Sequence, residues 1–195
     1  MMTRAGLEQA LWALGRGAGV TSLVLITVSV VLGIVTRSGR PLPGLPRFGV
    51  TELHRITALL GTGLVVLHMV TLLADPYAQL RVVDFVVPFL GAYRPVWLGL
   101  GTLAVDLLLV ILVTSLLRHR LGLRAFRAVH WTTYGLWPIA LAHGLGNGTD
   151  AGHAWFLILA ATCTLAVLTV IAWRLSRNFV EYDEARTRGQ LTGRW

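Results

Sequence analysis

Five long apolar stretches divide the chain, and short segments rich in arginine, proline and glycine separate them. They cover about residues 9–36, 50–73, 95–117, 126–146 and 154–173. A helix needs about 20 mainly apolar residues to cross the hydrocarbon core of a bilayer, and most of these stretches approach that length. The pattern predicts an all-α integral membrane protein with five transmembrane helices. The shorter apolar segment 82–93 contains Pro88 and Gly91 and is better interpreted as interfacial or re-entrant.

Composition supports the membrane class. The chain has 195 residues, a mean hydropathy of +0.68, 55% hydrophobic residues and 13% charged residues. This length suits one domain over residues 1–195, with a short tail at 176–195. The net charge of +8 suggests a nucleic-acid partner at first sight. The arginines lie mostly in short loops and the tail, however, so the predicted partner is the lipid bilayer and not a nucleic acid.

The arginine distribution predicts the orientation of the helices. With five spans, the side that holds the first and third loops and the tail carries thirteen arginines, and the opposite side carries four. Loops rich in arginine stay in the cytoplasm, so we expect the N-terminus outside and the C-terminus in the cytoplasm. Cleavage of the first helix would leave four spans and would not move the histidines discussed next.

Four histidines lie in two pairs within the second and fourth apolar stretches. His54 and His68 are 14 residues apart, and His130 and His143 are 13 apart. Ionisable side chains inside a membrane span are rare and are functional candidates by default. Either spacing corresponds to about 20 Å along a helix, which fits one haem in each half of the bilayer.

The two histidine-bearing helices run in the same direction, so their ligands come into register. We therefore expect His54 and His130 to bind an inner haem iron, and His68 and His143 to bind an outer one. A single cysteine, Cys163, excludes a covalent CxxCH attachment, which predicts haem b. No catalytic residue is predicted.

Helix geometry supports one pair of ligands better than the other. A 14-residue step returns within about 40° of the same face, whereas a 13-residue step ends about 140° away. Pro138, between His130 and His143, offers a local rewinding of that helix. Gly61 lies midway between His54 and His68, where a missing side chain would let the bundle close between two haem edges. Ordinary helix packing explains Gly61 equally well.

Three charged residues also lie in or beside the predicted spans. Arg16 is in the outer part of the first span and Asp106 is in the middle of the third. They would pair with each other, or Arg16 would bind the propionates of the outer haem. Arg55, beside His54, would serve the inner haem in the same way, although topology alone also places an arginine there.

With these residues the chain resembles the ferric reductase-like transmembrane domain family. That family includes NADPH oxidases, ferric reductases and the haem-binding membrane subunit of a methionine sulfoxide reductase system. The resemblance rests on His54/His68 and His130/His143, which reproduce the family's ligand order and spacings. It also rests on Arg16, which is similar to an arginine near the outer haem. It covers about residues 11–174 and indicates a bacterial, stand-alone member in the cytoplasmic membrane.

The chain departs from the family pattern in three respects. Relatives place an aromatic residue between the haems where this chain has Leu136, and its aromatic residue, Trp137, comes one position later. The second histidine that oxidases carry beyond their outer ligand is replaced by Leu72. No GxGxxG nucleotide loop occurs in the sequence, so we expect no flavin or nicotinamide domain in this chain. Either Trp137 or Leu136 would then fill the gap between the haems.

The resulting hypothesis is a dihaem b-type cytochrome that moves electrons across the membrane as a subunit of an oxidoreductase. The donor would be a cytoplasmic flavoprotein reductase or quinol, and the acceptor an extracytoplasmic redox protein, flavin or ferric iron. One alternative is a quinol-oxidising respiratory cytochrome b, although no Pro-Glu-Trp-Tyr motif is present. An alternative of another class is a non-redox transporter or scaffold with structural histidines.

Overall fold

The computed structural model describes residues 3–182, and no strand occurs in that part of the chain. A short 3₁₀ turn, Val82–Phe85, interrupts the connection between the second and third helices. Residues 183–195 of the predicted tail lie outside the described residues. The α-helices in the described range are α1 (Arg4–Ser38), α2 (Arg47–Ala74), α3 (Pro95–Leu116), α4 (Arg118–His130), α5 (Thr133–Asn147) and α6 (Ala154–Leu175).

Four of these helices, α1, α2, α3 and α6, are long and apolar enough to cross a bilayer. They correspond to the first, second, third and fifth predicted spans, and their ends lie within five residues of the predicted ones. The prediction of an all-α membrane protein is therefore confirmed.

The fourth predicted span, 126–146, is not one continuous helix in the structure. It is divided between α4 and α5, which are separated by Trp131 and Thr132. With 15 residues, α5 extends only about 22 Å, less than the roughly 30 Å of a hydrocarbon core. Pro138 lies inside α5, six residues after this break, and it has no amide hydrogen to donate to the carbonyl of Tyr134.

The turn between α4 and α5 is wound more tightly than an α-helix. The amide of Thr132 bonds to the carbonyl of Val129, and that of Gly135 bonds to Thr132, each at 2.9 Å across three residues. Such 3₁₀ bonding advances each residue by about 120° instead of about 100°. The extra rotation turns His143 back towards the face of His130, which reduces the angular mismatch of their 13-residue spacing.

The central element of the bundle is α1, which packs against α2, α5 and α6. It begins at Thr3, whose hydroxyl accepts a hydrogen bond from the amide of Gly6 at 3.2 Å, and it ends at Gly39 in the left-handed conformation. Its contact with α2 is close, because a Cβ on Gly15 would lie 2.8 Å from the Thr71 hydroxyl. Small residues at helix contacts are the usual means of close packing in membranes.

A buried cluster at mid-depth joins four helices. Its members are Ile26 of α1, Ile111 of α3, Leu136 and Trp137 of α5, and Cys163 and Val167 of α6. The contact fixes the rotation of α5 about its axis, and with it the direction in which His143 points.

Candidate functional site: two pairs of histidines

The first histidine pair consists of His54 on α2 and His130 at the end of α4. Their ring centroids are 6.3 Å apart, and the ring planes are nearly perpendicular at 83°. With a metal–imidazole bond of about 2 Å and a ring radius of about 1 Å, two rings on opposite sides of one ion would have centroids about 6 Å apart. The spacing of the first pair therefore fits two axial ligands of one metal ion.

The second pair consists of His68 on α2 and His143 on α5. Because α2 is continuous from Arg47 to Ala74, His68 lies about 21 Å along the helix from His54. His54 and His68 thus lie at two levels of the bundle, and His130 lies beside His54 at the first of them.

Three of the four rings donate a hydrogen bond from Nδ1 to a backbone carbonyl of a neighbouring helix. His54 donates to Ser29 at 2.8 Å, His68 to Gly15 at 2.7 Å and His143 to Trp97 at 2.8 Å. A carbonyl only accepts, so these partners assign the proton to Nδ1 and leave the lone pair of Nε2 free. The same arrangement orients histidine ligands in metal proteins.

A glycine lies four residues after each accepting carbonyl and faces the same ring. A Cβ on Gly19 would lie 3.0 Å from His68 Nδ1, one on Gly33 would lie 3.3 Å from His54 Cε1, and one on Gly101 would lie 2.6 Å from His143 Nδ1. In a helix the residue four positions later covers the carbonyl, because its amide bonds to that oxygen. A glycine there lets the ring approach the carbonyl closely.

His130 differs from the other three histidines. Its Nδ1 is buried and has no hydrogen-bond partner, and its ring stacks at a tilt on Phe126 with centroids 5.1 Å apart. A buried polar nitrogen without a partner costs free energy, so an atom left in this way is a candidate for binding something outside the protein chain.

An open cavity lies beside the first pair, and we call it the first-pair cavity. His54 and His130 line it together with residues of α1, α4, α5 and α6. Its polar lining residues include Arg37, Arg127, Arg174 and Tyr134. An apolar cavity with a few cations suits an apolar ligand that carries negative groups at one edge.

Arg55, expected to lie beside the inner haem, is not among the residues that line the first-pair cavity. Its side chain is 69% exposed and pairs with Glu52 of the same helix at 2.7 Å. Arg55 follows His54 directly, and consecutive residues of a helix point about 100° apart. The side chain is therefore turned away from the ring beside it.

Arg16, expected near the outer haem, forms an ion pair with Asp150 in the α5–α6 loop at 3.0 Å. Its guanidinium also lies 4.4 Å above the ring of Trp12. Asp150 is buried, with a side chain 6% exposed, whereas the side chain of Arg16 is 41% exposed. The partner of Arg16 is thus Asp150 and not Asp106.

Gly61 and Trp137 both lie at mid-depth, but in different contacts. A Cβ on Gly61 would meet Ile26 of α1 at 3.3 Å, so this glycine serves the close contact between α1 and α2. Trp137 is buried, and its indole N–H donates to the hydroxyl of Thr27 at 2.9 Å. Leu136 is buried in the same cluster, so neither of the two side chains faces lipid.

Among residues 3–182 there is no group of three or more histidine, cysteine or acidic side chains that could hold a metal ion. A structural metal ion is normally held by four ligands from the protein. The two histidines of the first pair are too few to hold a structural zinc ion by themselves.

Sequence reasoning missed the residues of α1 and α3 that hold the rings. One signal was available: Gly19 and Gly33 are 14 residues apart, as are Gly15 and Ser29, and both spacings equal that of His54 and His68. Antiparallel helices in contact would bring such equal spacings into register. No comparable repeat identifies Arg37 or Arg174, which reach the cavity from the ends of α1 and α6.

The fold and the site define a helical membrane protein with two levels of facing histidines. Residues 18–141 match the family model of the ferric reductase like transmembrane component, and this range covers more than half of the chain. The chain therefore belongs to that family, as the resemblance in its histidine spacings predicted. The match contains His54, His68 and His130, and His143 lies two residues beyond it. Comparisons with curated proteins and with solved structures gave no match.

Proposed function

We propose that this protein is a dihaem b-type membrane cytochrome, the electron-transfer subunit of a ferric reductase-like oxidoreductase. His54 and His130 would hold one haem iron, and His68 and His143 the other. Membership of the family supports a membrane redox component. The observation that carries the finer proposal is the orientation of three rings by Nδ1 hydrogen bonds, which leaves Nε2 free to bind a metal.

The chemistry of the donor set supports haem over a bare ion. A porphyrin would supply four nitrogens, and His54 with His130, or His68 with His143, would supply the remaining two ligands of its iron. The iron would then serve electron transfer rather than the binding of a substrate. The 6.3 Å between the ring centroids of His54 and His130 agrees with this arrangement.

The residues of this chain would position the cofactors and keep water out. The carbonyls of Gly15, Ser29 and Trp97 would keep the proton of three rings on Nδ1, so that Nε2 stays unprotonated and able to bind a metal. The cluster that contains Leu136 and Trp137 fills the space between the two levels, and we propose that Trp137 excludes water there. Gly61 brings α1 and α2 together at the same depth.

We further propose that Arg16 supports the outer site indirectly. Its guanidinium already contacts Asp150 and Trp12, and the adjacent Gly15 provides the carbonyl that accepts from His68. The Arg16–Asp150 pair would therefore hold α1 in the position that orients the His68 ring.

The orientation follows from charge. The basic helix α4, with Arg118, Arg120 and Arg124, lies at the end of the bundle that carries His54 and His130, and we propose that this end faces the cytoplasm. In this proposal α4 and α5 together form the fourth of five crossings. Electrons would enter at the cytoplasmic end, beside His54 and His130, from a flavoprotein reductase or quinol. They would leave at the opposite end to a redox protein, flavin or ferric iron.

The test is the haem content and spectrum of the purified full-length protein. Reduced-minus-oxidised absorption should show a b-type α band, and the pyridine haemochrome assay should approach two haems per chain. His143→Ala should lower the content to about one. The absence of an α band would exclude a cytochrome, and a reproducible content near one in the unmodified protein would exclude the two-haem assignment.

A further inference from the structure

A segment after α6, Ser176–Tyr182, returns to the start of α2, and we call it the C-terminal strap. Its last residue, Tyr182, rests on Gly39, where a Cβ would lie 2.6 Å from the ring. The guanidinium of Arg47 lies 4.4 Å above the same ring. Phe179 packs edge-on against Trp173 with centroids 5.1 Å apart. The strap is thus anchored by side-chain contacts at two points.

Between these anchors, Glu181 bridges two arginines of the first-pair cavity. Its carboxylate lies 3.3 Å from Arg37 of α1 and 3.5 Å from Arg174 of α6. Both arginines line the cavity together with His54 and His130. One carboxylate therefore already occupies a two-guanidinium site at the edge of the proposed haem pocket.

Arg174 is held in place by contacts other than Glu181. It donates a hydrogen bond to the hydroxyl of Tyr134, and its guanidinium lies 4.7 Å above the ring of Trp131. Its side chain is 14% exposed, and those of Arg37 and Glu181 are 32% and 31% exposed. A guanidinium oriented beforehand loses little freedom when it binds a carboxylate, and the planar fork matches the two oxygens.

We propose that Arg37 and Arg174 form a carboxylate-binding site for a propionate of the haem in the first-pair cavity, and that Glu181 competes with this propionate for it. The inference rests on the proposed function. Haem b carries two propionate carboxylates, and the two guanidinium groups beside His54 and His130 are opposite in charge to such a carboxylate. Binding of the propionate releases Glu181, and with it the central part of the strap.

The experiment compares two probes that differ only in the charge of these groups. Full-length protein, produced without haem and placed in lipid nanodiscs, is titrated with haem b and with haem dimethyl ester, whose propionates are uncharged. Dissociation constants come from absorbance, and His130→Ala identifies the phase that belongs to the first pair. Glu181→Gln should tighten haem b about 2- to 5-fold at this site, the size expected for a partly exposed ion pair, and leave the ester unchanged.

The arginine variants should act in the opposite direction. Arg174→Gln, or Arg37→Gln if the former does not fold, should weaken haem b by a similar factor and leave the ester unchanged. Glu52→Gln is the matched control, because Glu52 has an arginine partner on an exposed helix face away from the cavity. Amide exchange over residues 176–182 should quicken with haem b and not with the ester.

The outcomes separate the two proposals. If neither probe binds at the first pair, the proposed function fails. If both probes bind but Glu181→Gln behaves like Glu52→Gln, or shifts both probes equally, competition between Glu181 and a propionate is excluded and the cytochrome assignment stands.

Discussion

Each of three histidine rings lies against a glycine, and the space beneath the ring decides which side chain that position accepts. Gly101 has the least room, since a Cβ would lie 2.6 Å from both Nδ1 and Cε1 of His143. Gly33 has more room, at 3.3 Å from His54 Cε1. Real Cβ contacts below about 3 Å force one of the partners to move, and packed interiors resist such movement.

We expect Gly101→Ala to displace the His143 ring and break its hydrogen bond to the Trp97 carbonyl. The haem content should fall from about two per chain towards one, because the ligand of the second site loses its orientation. Gly33→Ala should have a smaller effect, at the first site. The measurement is the pyridine haemochrome assay on purified variants.

The control for this prediction is Gly135→Ala on α5, where no atom lies within 4 Å of the added Cβ. It also replaces a glycine by an alanine, but at a position where the added Cβ has room. The haem content of this variant should therefore equal that of the unmodified protein. Equal losses in Gly101→Ala and Gly135→Ala would refute the positioning role of Gly101.

At the scale of one element, the tight turn before α5 sets the rotation of that helix. The 3₁₀ bonds around Thr132 divide the fourth predicted span into α4 and α5, and Pro138 removes one further backbone hydrogen bond inside α5. A regular helix through this region would carry His143 well away from the face of His130. The irregular turn is therefore what allows a 13-residue spacing to serve two registered sites.

We expect Pro138→Ala to raise stability and to lower haem content. An alanine amide can bond to the Tyr134 carbonyl, and proline inside a helix costs about 3 kcal/mol relative to alanine. A straighter α5 would turn His143 out of register, so haem per chain should fall towards one while helicity and melting temperature rise. Circular dichroism measures the expected rise in helicity and melting temperature, and the haem assay measures the expected fall in haem content.

Pro95→Ala is the control for the proline prediction. Pro95 opens α3 at a position where no amide hydrogen is needed, so both quantities should stay near those of the unmodified protein. A Pro138→Ala protein that retains two haems would show that the missing hydrogen bond at Pro138 is not required for ligand register.

For the whole molecule, the contact between the start of α1 and the α5–α6 loop closes one end of the bundle. The Arg16–Asp150 pair makes this contact, and Asp150 is buried beside Trp155 in a cavity between α1 and that loop. Removing one partner of a buried ion pair leaves a charge without compensation, which costs more than the pair contributes. The pair joins two residues that are 134 positions apart in the sequence.

We expect Arg16→Gln to lower the free energy of unfolding by roughly 1–3 kcal/mol, less than for a fully buried pair because the arginine is partly exposed. Asp150→Asn in the same chain should restore part of the loss, since no charge is then left unpaired. Thermal unfolding in detergent measures both changes. The exposed Arg4–Glu8 pair is the control, and Arg4→Gln should change stability by less than about 0.5 kcal/mol. Additive effects of the two substitutions at 16 and 150 would contradict the pairing.

Local pattern by itself determined four of the long helices and singled out the four histidines. Apolar length predicted α1, α2, α3 and α6, because the thickness of a bilayer sets the length of a helix that crosses it. The spacing between His54 and His68 was sufficient to place them at two levels, because the rise of a helix is constant. These quantities depend on neighbours in the sequence, and no knowledge of packing is needed to obtain them.

Only the tertiary structure decided which polar groups meet. Thr27 bonds to Trp137 from 110 residues away, and the partner of Arg16 is Asp150 and not Asp106. Arg37 and Arg174 line the first-pair cavity, whereas Arg55 pairs on an exposed face. These choices depend on how each helix is rotated about its axis, and that rotation is set by packing at many contacts at once. A rotation of one residue position, about 100°, exchanges a cavity-facing arginine for an exposed one.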